Sequence, residues 1–237
     1  MSTQLLTNVH EGVHLNFAKN SVYVSGNYEY YHYLCDKFDD RGWGCGYRTL
    51  QTICSWMKLN INSSIKVPSI RDIQSILVEM EDKPQSFLGS RQWIGSFEVC
   101  LVIDKLFDVP SKILHVNKGD SLESIVETLS THFEKFGSPV MMGGDVDCSS
   151  KGIMGVHKDG VNSSLLIVVR SIYYHFNFNL VMFWCSDHST TNVLAVVGSI
   201  PAHGNHLCRS YRCLSGRLFS CIVCFNIIQY ETEKTKD

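Results

Sequence analysis

The chain has 237 residues, a hydrophobic fraction of 44% and a formal net charge of −2. This composition is sufficient for a globular core, and the lack of a broad basic region argues against nucleic acid as a partner. Ten cysteines are scattered along the chain, which begins without the basic and apolar stretches of a secretory leader. We therefore expect reduced thiols and a cytoplasmic location. The longest uncharged apolar stretch, at 171–186, is shorter than the roughly 18 apolar residues of a membrane span, so we expect no span.

The first predicted elements surround a glycine-rich turn. Residues 28–33 are rich in aromatic side chains and predict a strand or an extended arm. Directly after Cys45 the apolar residues recur with helical spacing, which predicts a helix. The residues that carry this spacing are Tyr47, Leu50, Cys54 and Met57. The glycines that permit a tight turn before and at the start of this helix are Gly42, Gly44 and Gly46.

Three further helices and several strands follow. Ser69 is placed to cap a second helix, and a third helix is predicted to begin near Ser96. Asp120 and Glu123 have the spacing of a capping box before a fourth helix. Strands are predicted at 111–116, 138–142 and 163–169. Because helices come first and strands later, the pattern predicts an α/β or α+β layered domain.

The character of the sequence changes after Val168. Residues 1–168 hold 34 charged side chains, whereas residues 171–230 hold four. Helical periodicity is lost there, and no clean alternation replaces it. We therefore predict a core domain at 1–168, followed by a poorly ordered tail at 169–237.

Cys45 has the sequence context of a catalytic thiol. A helix N-terminus stabilises a thiolate through its unfilled N–H groups and its partial positive charge. The flanking glycines would let a substrate backbone come close, and Trp43 could form a wall of the cleft. A papain-like nucleophile requires such features. A buried structural cysteine is the alternative interpretation.

Three stretches carry a resemblance to a known family. They are "YYHYLCDKFDDRGWGCGYRTLQTICSW" at 30–56, "GSRQWIGSFE" at 89–98 and "GSPVMMGGDVD" at 137–147. In this order, over about residues 7–168, the chain resembles the ubiquitin-fold-modifier-specific cysteine proteases, and its short start resembles their single-domain type. The resemblance implies a papain-like fold without metal or organic cofactor. It also implies maturation of a ubiquitin-like modifier precursor after its C-terminal glycine and removal of the modifier from conjugates.

The resemblance also implies roles for individual residues. Cys45 matches the family's nucleophile, and Tyr33 matches the tyrosine whose hydroxyl helps to form the oxyanion hole. A phenol donor is suited to this role because it stabilises negative charge on the tetrahedral intermediate. Trp93, in "RQWIG", is a further candidate for a wall of the cleft.

One part of the family's catalytic set is missing. In the family, Asp-Pro-His directly follows a strand similar to "LLIV" at 165–168, and the histidine takes the thiol proton. Here Val169, Arg170 and Ser171 follow, and no Asp-Pro-His occurs in the chain. The alternative function is therefore a catalytically inactive protein that binds the modifier.

Three interpretations of the tail remain. Val169-Arg170 is compatible with the codons at the start of an intron, so the tail could be a translated intron. Asp187-His188 could replace the missing pair, although neighbouring residues on a strand point to opposite faces. The tail could also bind zinc, although the spacing matches no standard finger. Its potential ligands are His203, His206, Cys208, Cys213, Cys221 and Cys224.

Three other polar residues near the core are assigned no catalytic role. Asp145 follows a Gly-Gly pair, where a short acid supports a turn, and Asp147 lies close by. His157 is expected on a surface turn next to Lys158-Asp159-Gly160.

Overall fold

The computed structural model describes residues 5–12, 20–115, 122–143, 149–159, 162–170, 178–186, 193–201 and 221–225. Within them lie four α-helices and two short 3-10 helices, at Val9–Gly12 and Gln85–Phe87. The α-helices are α1 (Cys45–Asn60), α2 (Ile70–Glu79), α3 (Ser96–Phe107) and α4 (Leu122–Lys135).

Most of the strands belong to one antiparallel sheet. A small separate pair is formed by β1 (Leu6–Thr7) and β3 (Glu29–Tyr30). The strands of the large sheet are β2 (Ser21–Tyr23), β4 (Ser111–His115), β5 (Val140–Gly143), β6 (Ser150–Asp159), β7 (Asn162–Arg170), β8 (Phe178–Ser186), β9 (Val193–Pro201) and β10 (Cys221–Phe225). Their order in the sheet is β4-β10-β5-β6-β7-β8-β9, and β2 pairs with the second half of β6.

Helix α1 lies at the centre of the fold. Every residue from Cys45 to Met57 is buried, and the helix contacts α2, α3, β3, β5 and β6. The predicted apolar positions of this helix are all buried, as expected from their spacing. The helix is therefore a fixed support for the groups at its N-terminus.

The predictions for the other helices and for three strands are confirmed. Ser69 caps α2 in a capping box with Asp72, and α3 begins at Ser96. Strand β4 lies in the predicted range, β5 is buried as expected for a central strand, and β7 covers the strand predicted at 163–169. Asp120, expected to help cap α4, lies outside the described residues.

Strand β6 was not predicted. Its sequence contains Gly152 and Gly155 and lacks a clean alternation, so local propensity did not indicate a strand. In the fold it pairs with β5, β7 and β2, which satisfies its backbone on both sides. Pairing with its neighbours in the sheet, and not the propensity of its own residues, therefore makes this segment a strand.

The predicted tail contributes three described strands. β8 extends the sheet beyond β7, β9 pairs with β8, and β10 pairs with both β4 and β5. The prediction that 169–237 is poorly ordered stays a prediction. Within the part of the chain that the structure describes, no helix has the length and apolar character to cross a membrane.

Candidate active site

Cys45 is the first residue of α1, as predicted. It follows the N-cap residue Gly44, and only 8% of Cys45 is exposed. Because Gly44 has no side chain, it does not cap the first N–H groups of α1 with one. Cys45 thus stands at the end of the helix where the first backbone N–H groups lie.

The glycines on either side of Cys45 leave room for protein atoms in the direction of a Cβ, and the expectation that they let a substrate backbone come close stays a prediction. A Cβ on Gly44 would lie 2.3 Å from Oδ2 of Asp40. A Cβ on Gly46 would lie 2.5 Å from the carbonyl oxygen of Ile94. Both glycines therefore allow neighbouring segments to pack closely against the start of α1.

The two candidate tryptophans have different environments. Trp43 is 6% exposed and packs edge-on against Phe38 and Tyr47, with ring centroids 5.9 and 5.5 Å away, so it belongs to the core cluster. Trp93 is 53% exposed and donates its indole N–H to the carbonyl oxygen of Gly42 at 3.3 Å. Trp93 is therefore the better candidate for an exposed wall beside the turn that precedes Cys45.

The segment that carries Tyr33 runs along α1 toward the N-terminus of the helix. The N–H of Glu29 donates to Oγ of Ser55 at 2.9 Å, and Ser55 Oγ also lies 2.9 Å from the carbonyl oxygen of Glu29. The N–H of Tyr31 donates to Oγ1 of Thr52 at 3.1 Å, one helical turn closer to Cys45. Tyr33 itself is half-buried and lies in the turn that follows. The segment thus approaches the end of the helix that carries the thiol.

A buried ion-pair network joins this turn to α1, and the sequence interpretation missed it. Arg48 is fully buried and donates from Nε to Oδ2 of Asp40 at 2.7 Å. Its Nη1 and Nη2 donate to the two carboxylate oxygens of Asp36 at 2.9 and 2.7 Å. Burial by itself would lower the pKa of Arg48, but the hydrogen bonds to Asp36 and Asp40 outweigh it and raise that pKa. Arg48 is the only charged residue between Cys45 and Met57 in the sequence of this helix, and this was the available signal.

A small open pocket lies between α1 and β6. Gly152, which contributes to its lining, pairs across the sheet with Val168 of β7. Val169 and Arg170 continue that strand, and they occupy the positions where the resemblance described above would place the first two residues of Asp-Pro-His. The lining consists of Tyr30, Thr49, Thr52, Ile53, Pro139, Ser150, Gly152 and Met154.

Of the remaining polar candidates, the structure describes only His157. His157 lies in β6 and is 8% exposed, with Nδ1 2.7 Å from Oγ of Ser21, so its predicted position on a surface turn is wrong. The backbone pairing of β2 with β6 places this imidazole inside the fold. Residues 144–148 and 187–190 lie outside the described residues, and with them Asp145, Asp147 and Asp187-His188.

The zinc interpretation is likewise not tested. Of its six potential ligands, only Cys221 and Cys224 fall on a described strand, β10. Among the described residues, no group of three or more potential ligands is positioned to hold a metal ion.

Comparison with protein families matches residues 19–177 to the model of peptidase family C78. This match spans more than half of the chain. The chain belongs to peptidase family C78. The predicted resemblance to the ubiquitin-fold-modifier-specific proteases is thereby confirmed.

Curated relatives that are named as Ufm1-specific proteases support the assignment. A probable Ufm1-specific protease from Oryza sativa subsp. japonica is 49% identical over 61% of this chain and 23% of its own length. Ufm1-specific protease 2 from Mus musculus is 44% identical over 64% of this chain and 32% of its own length. Ufm1-specific protease 1 from the same organism is 41% identical over 72% of this chain and 78% of its own length. The chain therefore spans a third or less of the first two relatives and most of the third.

A solved structure of a similar protein confirms the fold class. The crystal structure of UfSP from C. elegans matches with a TM-score of 0.62 and 34% sequence identity, over 72% of this chain and 31% of that chain. The predicted α+β, papain-like architecture is thus confirmed.

Proposed function

We propose that this chain is a thiol protease acting on the ubiquitin-like modifier Ufm1. It would cut the Ufm1 precursor after its C-terminal glycine and release Ufm1 from conjugated targets, in the cytoplasm and without a metal or organic cofactor. The observation that carries this proposal is the position of Cys45 as the first residue of the buried helix α1 in a family C78 domain. The names of the relatives, which are Ufm1-specific proteases, support the choice of substrate.

In the proposed reaction, Cys45 is the nucleophile. Its sulfur attacks the carbonyl carbon of the terminal glycine, the C–N bond to the leaving amine breaks, and the resulting thioester is then hydrolysed by water. Tyr33 is the proposed side-chain donor to the oxyanion, together with a backbone N–H at the start of α1. The hydrogen bonds from residues 29–31 to α1 support this role, because they direct the Tyr33 segment toward the thiol.

The second candidate function is binding of Ufm1 without turnover. It is favoured by the residues that follow "LLIV", because Val169 and Arg170 stand where the family has an acid and a proline. Leaving-group protonation by a positioned histidine contributes about 10²–10⁴-fold to such reactions. Without it we expect very slow hydrolysis, whereas binding is expected to be better preserved.

The deciding experiment uses the complete 237-residue chain. Cleavage of C-terminally extended Ufm1 and the affinity for mature Ufm1 are measured side by side, with Cys45→Ala as the control. We expect binding of mature Ufm1, together with slow cleavage of extended Ufm1 that Cys45→Ala abolishes. Near-normal cleavage that Cys45→Ala abolishes would show that a substitute base is present, and His188→Ala and His157→Ala would then be made first. Binding without any cleavage that depends on Cys45 would contradict the protease function and favour the second candidate, and absence of both binding and cleavage would contradict both.

A chimera identifies the cause of slow cleavage. Residues 1–168 are joined to a C-terminal segment that begins with Asp-Pro-His and comes from an active relative. We expect the chimera to cleave extended Ufm1 and its Cys45→Ala variant to be inactive. A folded chimera that binds Ufm1 but remains inactive would count against the proposed roles of Cys45 and Tyr33.

A further inference from the structure

We propose that Arg48 is a positioning residue, which acts through Asp40 to hold the Tyr33 turn and the Cys45 thiol in a fixed mutual geometry. This inference rests on the proposed function, because it assumes that Cys45 is the nucleophile and Tyr33 an oxyanion donor. Arg48 lies one helical turn after Cys45 and does not need to touch the substrate in order to act.

Asp40 contacts both sides of the proposed site. Its Oδ2 accepts from Nε of Arg48 at 2.7 Å, and its Oδ1 accepts from the N–H of Leu34, the neighbour of Tyr33, at 2.9 Å. Its carbonyl oxygen accepts from the N–H of Gly44, the neighbour of Cys45, at 2.7 Å. A single buried residue therefore hydrogen-bonds to the chain next to Tyr33 and next to Cys45.

Arg48 is needed to keep Asp40 in this position. Both side chains have no exposed area, and a buried carboxylate is costly unless a cation or several donors compensate it. The rest of the guanidinium binds Asp36 through two parallel hydrogen bonds and Gln51 through a third, at 3.0 Å. These contacts use the planar, forked arrangement of donors that lysine lacks.

Two residues of the turn have backbone conformations that cost free energy and need support from the surrounding structure. Leu34 and Lys37 have φ values of 63° and 67°, in the left-handed region that non-glycine residues rarely adopt. Such residues persist where the surrounding structure over-determines them. The contacts of Arg48 with Asp36 and, through Asp40, with Leu34 flank these residues and supply that constraint.

The test compares two ligands that differ only at the carbon that Cys45 would attack. One is Ufm1 ending in glycinal, an aldehyde, and the other is Ufm1 ending in the ordinary carboxylate. With the aldehyde, the thiol S–H adds across the C=O group. An S–C bond forms, the proton ends on oxygen, and that oxygen occupies the oxyanion site of a hemithioacetal. The reaction needs no histidine, oxidant or cofactor, so it is measurable in this chain. The ratio of the two Kd values reports how well the thiol and the oxyanion donors are aligned.

We expect the unmodified chain to prefer the aldehyde and Cys45→Ala to lose the preference. Arg48→Lys should reduce the preference roughly tenfold or more, because displacement of reacting groups by about 1 Å costs up to about 10²-fold. Its affinity for the carboxylate form should remain close to that of the unmodified chain. A loss of stability alone would not produce this selective change.

Two variants serve as matched controls. Arg41→Lys makes the same substitution at an arginine that binds Asp39 in an exposed pair, with 43% of its side chain accessible, so the aldehyde preference should not change. Ser69→Ala removes the cap of α2, far along the chain from the thiol, and should lower Tm without changing the preference.

The outcomes separate the two proposals. If the unmodified chain shows no aldehyde preference that depends on Cys45, the proposed function is wrong, and this inference falls with it. If the preference is present and Arg48→Lys retains it, only the positioning role is wrong. If Arg48→Lys does not fold, Asp36→Ala decides. Asp36 is 44% exposed and holds the Arg48 guanidinium by two hydrogen bonds, so its removal loosens Arg48 and its grip on Asp40 without leaving the buried Asp40 carboxylate without a cation. A smaller but selective loss of preference is expected for that variant, and an unchanged preference would overturn the inference.

Discussion

Gly44 leaves the space that the carboxylate of Asp40 occupies. A Cβ at this position would lie 2.3 Å from Oδ2 and 2.6 Å from Cβ of Asp40. Both distances are below any normal contact between these atoms. The residue before the thiol is thus a glycine because of a neighbouring protein side chain.

Gly44→Ala is therefore expected to displace Asp40 or the start of α1. Overpacking of this kind typically lowers the free energy of unfolding by about 1–3 kcal/mol. The measurement is chemical denaturation, with Gly95→Ala as the control, because a Cβ there would be 3.4 Å from its nearest neighbour, Glu98. Equal stability of Gly44→Ala and the unmodified chain would contradict the close packing of Asp40.

The buried His132 predicts a pH dependence of stability. Its Nε2 lies 3.0 Å from the carbonyl oxygen of Ser138, and burial lowers the pKa of His132 from 6.5 to about 4. Between these values the unfolded chain binds more protons than the folded chain, so stability falls as the pH falls from 6.5 toward 4. The contribution of this histidine is about 3 kcal/mol over that range.

His132→Gln tests this prediction, because glutamine retains a donor for Ser138 and does not titrate. The free energy of unfolding of both proteins is measured from pH 7 to pH 4. The difference between the two curves removes the contributions of other groups, including His10, whose pKa is also lowered by burial. Parallel curves would show that His132 does not contribute.

Removal of the capping box of α2 is expected to lower the stability of the protein. The N–H of Asp72 donates to Oγ of Ser69 at 3.1 Å, and the N–H of Ser69 donates to Oδ2 of Asp72 at 2.8 Å. Ser69→Ala should lower the free energy of unfolding by about 1 kcal/mol. Ser69→Asp retains a side-chain acceptor and should lose less, so a larger loss in Ser69→Asp would argue against the capping role.

Amide exchange tests the assignment of the tail. The low charge of 171–230 predicts a segment that packs poorly, whereas the structure pairs β10 with β4 and β5 on its two sides. Amides in a strand that is paired on both sides exchange slowly. We expect slow exchange at Cys221–Phe225. Fast exchange there would contradict the register of β10, and slow exchange throughout 171–237 would contradict the sequence-based prediction.

The sequence by itself was sufficient for the features that depend on local chain chemistry. The helical spacing after Cys45, the cap at Ser69 and the start of α3 at Ser96 were all predicted, because each rests on residues within one or two turns. The family motifs likewise identified Cys45 and Tyr33 as candidate site residues without coordinates. These two assignments remain proposals.

The tertiary structure decided the features that depend on distant parts of the chain. The burial of His157 follows from the pairing of β6 with β2, whose residues are more than 130 positions earlier. The Arg48–Asp40 pair requires the turn before α1 to fold back against the helix. No periodic pattern in the sequence predicts this contact. Packing also revealed that Gly44 and Gly46 face Asp40 and Ile94. A buried charge is tolerated only where an opposite charge or a hydrogen-bonding group lies beside it. A missing Cβ is useful only where another residue fills the space. In both cases the fold brings the neighbouring residue into place.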